Sequence, residues 1–140
     1  MARRPIIAAN WKMNKTHLEA IQAVQRLSYL LDRDDAERNE VVICPPFTAL
    51  RSIQVLIDSD RLPYGLGAQN VHWEAEGAFT GEISPAMLAA LNCSYVIVGH
   101  SERRWVLGET DWNVARKVRA VLRAGMAPIL CVGEKIDQRD

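Results

Sequence analysis

What the chain has little of narrows its possible roles. No apolar run approaches the ~20 residues that a membrane-crossing helix needs, so no helical span is expected. The opening MARRPIIAANWK carries a basic pair, but its apolar segment is short and is broken by Asn10 and Lys12, so it does not read as a secretory leader. An excess charge of either sign is also lacking. Seventeen Lys and Arg balance seventeen Asp and Glu, which leaves no overall field to recruit nucleic acid or an anionic membrane. Cysteine is scarce: Cys44, Cys93 and Cys131 are odd in number and lack metal-ligand spacing. Reduced thiols in a cytoplasmic protein without a structural metal are therefore expected.

Glycine is missing where common nucleotide-binding and hydrolase motifs require it. Gly65-Leu66-Gly67 does not complete G-x-G-x-x-G, because Asn70 stands at the last position, and no P-loop is present. Gly99-His100-Ser101 does not extend to G-x-S-x-G, because Arg103 occupies the second glycine position. A dinucleotide site and a serine hydrolase are both set aside.

What remains is a composition that is 49% hydrophobic and 24% charged, enough for one soluble globular domain over residues 1–140. Short apolar runs alternate with longer stretches of helical period. PIIAAN (5–10), VVIC (41–44), YGLGAQ (64–69), YVIVG (95–99) and PILCVG (128–133) read as strands. Thr16 with Glu19 forms a capping-box pattern ahead of a helix whose apolar face is drawn through Leu18, Ile21, Val24, Leu27, Leu30 and Leu31. FTALRSIQVLIDS is helix-periodic, PAMLAALN begins a helix with Pro85 in its first turn, and DWNVARKVRAVLRAG is a helix ended by Gly125. Residues 70–84 form a polar, glycine-containing loop. Continuously apolar strands, each followed by an amphipathic helix, imply a parallel sheet covered by helices. Either an open doubly wound sheet or part of a βα-barrel satisfies this pattern, and in both the functional residues gather at the C-terminal strand ends.

Two strand ends stand out. Strand one runs into Asn10-Trp11-Lys12, where a lysine suits an anionic ligand; a merely solvated lysine at a loop start fits equally. Strand four runs into Gly99-His100-Ser101-Glu102. A histidine at a helix start has its protonated form disfavoured, and a neutral imidazole can donate to a carbonyl and shuttle a proton. The structural alternative has Ser101 capping the helix and His100 as a satisfied packing residue. Strand five leads into Cys131, which reads as a buried small hydrophobe rather than a nucleophile.

Taken together, AANWKMN, AQNVHWEAEGAFTGEISPAML, VIVGHSERR and ILCVGE closely resemble triosephosphate isomerases, in that family's order and spacing from strand one to the end of the chain. The resemblance implies a TIM barrel of α/β class, here strands one to five of eight. It implies interconversion of dihydroxyacetone phosphate and D-glyceraldehyde 3-phosphate, in glycolysis and gluconeogenesis, with no cofactor. Asn10 and Lys12 match the family's substrate-binding pair, and His100 matches its electrophilic histidine, whose neutrality is a known family feature taken over by likeness. Ser101 and Glu102 match supporting neighbours, with Glu102 expected to hold Lys12 rather than act as the main base. Loop 70–84 resembles the loop that enters a partner subunit's site in a homodimer, with Thr80 and Glu82 at that interface.

The family's catalytic glutamate and its phosphate-gripping lid have no counterpart in residues 1–140. The isolated chain is therefore expected to be inactive. Its open strand edges are expected to pair with a C-terminal piece or with further copies. The alternative is a non-catalytic barrel fragment that binds anions or associates with itself.

Overall fold

The computed structural model describes residues 3–139. Five strands, β1 (Ile6–Asn10), β2 (Glu40–Cys44), β3 (Tyr64–Ala68), β4 (Tyr95–Val98) and β5 (Ala127–Leu130), form one sheet. Every neighbouring pair is parallel, and the spatial order is the order in sequence. Doubly wound sheets reverse direction at a switch point. Strands laid down in strict succession are the wall of a barrel, so the order decides between the two architectures: this is a partial TIM barrel.

Helices α1 (His17–Leu30), α2 (Arg33–Arg38), α3 (Phe47–Asp60), α4 (Pro85–Ala90), α5 (Ser101–Trp105) and α6 (Asp111–Arg123) connect the strands, and a 3₁₀ turn covers Ile136–Gln138. The expected capping box starts α1: Thr16 Oγ1 accepts from the Glu19 N–H at 3.3 Å, and Glu19 Oε2 accepts from the Thr16 N–H at 2.9 Å. Gly125 follows the end of α6 with φ +79°, a left-handed conformation that stops the helix cheaply.

The strands sort their side chains by pleat. Val41, Ile43, Val96 and Val98 pack with Leu50 and Ile53 of α3 and Val121 of α6, while Val42, Cys44 and Ile97 form a smaller cluster of their own. Two expectations are corrected here. The buried stripe of α1 is Ala20 and Val24, supported by Ile21, Leu27 and Leu31, whereas Leu18 and Leu30 are exposed. The fifth strand ends at Leu130, and Cys131 lies beyond it, only partly buried. No helix among the described residues is long and apolar enough to cross a membrane.

Candidate active site

The C-terminal ends of β1, β3 and β4 meet around a cavity of about 230 Å³. Its wall includes Asn10, Lys12, Gln69, His100 and Glu102. Lys12 is held in a left-handed backbone conformation, φ +57°, which is costly for a side chain bearing a Cβ. Two hydrogen bonds secure it. Its N–H donates to Asn10 Oδ1 at 3.0 Å, and its carbonyl accepts from Gln69 Nε2 at 2.9 Å. The same Gln69 nitrogen donates to the Cys44 carbonyl at 2.9 Å, tying the loop after β1 to the end of β2.

From the other side, β4 turns through Gly99, φ +71°, into α5. A Cβ at Gly99 would stand 2.8 Å from Arg104 Nη2 and 3.0 Å from the Val114 methyls, so both backbone angle and space demand glycine. The N-cap of α5 is His100 itself, not Ser101: His100 Nδ1 accepts from the Glu102 N–H at 3.2 Å. A ring nitrogen that accepts there leaves Nε2 to carry the proton of a neutral imidazole. Ser101 is exposed and makes no side-chain hydrogen bond among the described residues.

Lys12 and His100 are joined through Glu102. Its Oε1 lies 2.7 Å from Lys12 Nζ, and its Oε2 lies 3.5 Å from His100 Nδ1. The Lys12 hydrogen bond holds the Glu102 carboxyl below its ordinary range. Glu102 is the one carboxylate lining the cavity among the described residues, and it is committed to its cation. The arrangement thus offers an ammonium, an amide and an imidazole N–H to an oxyanion-bearing guest, and no free base beside them.

Beneath the cavity lies a second charged group that the spacing of the sequence did not reveal. Lys117 of α6, nearly fully buried, forms an ion pair with Glu109 and donates to Asn70 Oδ1 at 2.8 Å. Arg103 Nε lies 3.3 Å from Glu109 Oε2, in contact as a charge though not aligned as a hydrogen bond. Burial pushes the Lys117 ammonium below its ordinary value, with Glu109 opposing the shift. Because Arg103 directly follows Glu102, this cluster anchors the helix that carries the cavity's polar groups. Arg104 makes a third connection: Nε to the Gly99 carbonyl at 2.7 Å, Nη1 to Asp111 Oδ1 at 2.5 Å, and Nη2 to the Cys131 carbonyl at 3.3 Å.

Loop 70–84 folds back on itself. The His72 N–H donates to the Ile83 carbonyl at 2.8 Å, and the His72 ring packs between Trp73 and Phe79, each centroid 4.3 Å away. Thr80 and Glu82 are exposed on this excursion and do not line the cavity.

The model of the family described as triosephosphate isomerase matches residues 5–140. The chain belongs to the triosephosphate isomerase family. Among curated relatives called triosephosphate isomerase, that of Saccharopolyspora erythraea is 56% identical over 140 residues, covering 100% of this chain and 54% of the relative. That of Corynebacterium efficiens is 51% identical, covering 100% and 53%. That of Bifidobacterium longum is 56% identical, covering 98% and 52%. The chain spans about half the length of the curated relatives it matches.

Proposed function

We propose that these residues supply the electrophilic half of a triosephosphate isomerase site, interconverting dihydroxyacetone phosphate and D-glyceraldehyde 3-phosphate in glycolysis and gluconeogenesis, in the cytoplasm. The observation that carries the reading is the Lys12–Glu102–His100 cluster at the C-terminal strand ends, in a chain of this family. Lys12 attracts the anionic substrate. Asn10 fixes the Lys12 loop and presents its amide nitrogen. His100 Nε2–H donates to the substrate carbonyl oxygen and polarises it. When a base removes the adjacent carbon-bound proton, the developing enediolate gains a hydrogen bond it lacked in the ground state, which is the differential binding that lowers a barrier. The imidazole then passes a proton between the two neighbouring oxygens. No cofactor is required, because the proton taken from one carbon is returned to its neighbour and no net oxidation occurs.

The carbon base is not Glu102, whose carboxylate is neutralised by Lys12 and held below the usual carboxylate range by that hydrogen bond. Residues 1–140 alone are therefore expected to show no appreciable turnover. The exposed tip of loop 70–84, with Thr80 and Glu82, supports a homodimer contact through that loop.

In the full-length protein, His100→Gln should lower kcat about 10²–10⁴-fold, as expected for loss of a proton-transfer group, while costing in stability no more than the roughly 0.5–2 kcal/mol of the helix cap it also removes. Lys12→Met should act chiefly on KM. The check is a steady-state assay of both variants beside thermal unfolding. Unchanged kinetics in the two variants would remove the assignment.

A further inference from the structure

Lys12 meets two demands that conflict. The end of β1 presents a cation to the cavity there, while the backbone at that position, φ +57°, is left-handed and suited to glycine. Left to itself, a lysine in that conformation would relax, and its ammonium would move with the backbone. Three contacts prevent this. Asn10 accepts the Lys12 N–H, Glu102 pairs with Nζ, and Gln69 donates to the Lys12 carbonyl.

The Gln69 contact differs in kind from the other two. Asn10 is only two residues away and shifts with the same stretch of chain, and Glu102 holds the tip of a flexible stem. Gln69 ties the Lys12 backbone itself to the sheet. It follows Ala68, which is fully buried at the end of β3, between β2 and β4. Its Nε2 donates at 2.9 Å to the Lys12 carbonyl and at 2.9 Å to the Cys44 carbonyl, bridging from β3 over the end of β2 to the residue beyond β1. Both partners are carbonyl oxygens, so only the NH₂ end of the amide can face them, and both of its protons are engaged. Gln69 also lines the cavity, but the polar atom left to it is the acceptor Oε1, which does not suit an anionic guest.

We infer that Gln69 is a positioning residue: it imposes the left-handed backbone on Lys12 and so fixes where the ammonium stands for an anionic substrate. It acts through Lys12 and takes no part in proton transfer. The kinetic side of this inference rests on the isomerase reading, whereas the hold on Lys12 does not.

Gln69→Met in the full-length protein is the test, since it keeps the reach of the side chain and removes both donors. The variant should fold, because the Cys44 carbonyl still accepts from the Trp11 N–H at 3.0 Å and the Lys12 carbonyl is within reach of water. KM should rise about three- to tenfold with kcat changed less, roughly what one lost hydrogen bond is worth. Added to Lys12→Met, the substitution should lower kcat/KM no further, since a residue acting through Lys12 then has nothing to act on. One readout is free of catalysis. Followed by NMR, the Glu102 carboxyl carbon should titrate at higher pH in Gln69→Met than in the parent, because its Lys12 partner is no longer held. An unmoved Glu102 titration would overturn the inference, as would a further loss in the double variant or a parental KM in Gln69→Met where Lys12→Met raises it. If the Glu102 titration moves while neither substitution alters KM, Gln69 stands as the anchor of Lys12 and the isomerase reading falls instead.

Discussion

Glu102 in the first turn of α5 and Glu109 in the loop after it meet opposite environments. Glu102 is half-exposed, and its carboxyl is lowered first by the Lys12 hydrogen bond. A carboxyl lowered in the folded state stabilises that state above its unfolded value, near 4.5, and the contribution disappears as pH falls through the lower folded value. The Lys12–Glu102 contact should therefore be intact at neutral pH and be lost only below about 4.5. An NMR titration of the Glu102 carboxyl carbon checks this: the midpoint should lie under 4.5 and move up towards it in Lys12→Met. Glu109 is buried between Lys117 and Arg103. Removing its charge leaves the buried Lys117 ammonium without its counter-ion, so Glu109→Gln should destabilise the protein by about 3–5 kcal/mol. Chemical denaturation measures that directly, and a loss under about 1 kcal/mol would mean that water reaches the pair.

At the scale of elements, the sequence pattern was legible wherever neighbours in the chain decide the outcome. The five strands, the Thr16–Glu19 capping box, Pro85 opening α4 and Gly125 after α6 are all local effects. The α1 stripe holds at Ile21, Val24, Leu27 and Leu31 and fails at Leu18 and Leu30, because that helix has apolar residues on overlapping faces and the spacing gives no weight to Ala20. Spacing alone cannot say which face a sheet will cover. Helix α2 went unread because RDDAER has no apolar period, only Ala36 buried beneath charged residues. Lys12, Asn10 and His100 were found because strand ends and family motifs mark them. Gln69 and Lys117 were not, since Gln69 bonds the Lys12 carbonyl and Lys117 bonds Asn70, partners far off in sequence; Arg104 and Glu109 pair across the turn between α5 and α6, whose path no period reveals. The corrected stripe can be tested: Val24→Ala should cost about 1.5–2 kcal/mol for two buried methyls. Leu18→Ala should fall within about 0.5 kcal/mol of neutral. Equal costs in denaturant unfolding would restore the original face.

For the molecule as a whole, the open sides of the sheet govern behaviour. Among the described residues, β1 pairs only with β2, and β5 only with β4. Parallel strands are ordinarily covered on both faces and both flanks, yet Ile6 and Ile7 are 50% and 56% exposed, and Leu130 is 48% exposed. Unpaired backbone beside exposed isoleucine is a template for another strand. Residues 1–140 by themselves should therefore form dimers or larger assemblies without isomerase turnover at roughly tens of micromolar, the range in which unpaired edges associate. Mixing them with a polypeptide corresponding to the unmatched half of the relatives should replace those assemblies with a one-to-one complex, and turnover should appear with it. Native mass spectrometry run beside the activity assay separates the cases. Ile7→Lys supplies the control, since a charge on the edge strand should shift self-assembly towards monomer. If the unaltered chain stays monomeric throughout that range, the edges are not adhesive. If complexes form without turnover, the Lys12–His100 cluster is not completed by the second polypeptide, and the isomerase reading loses its support.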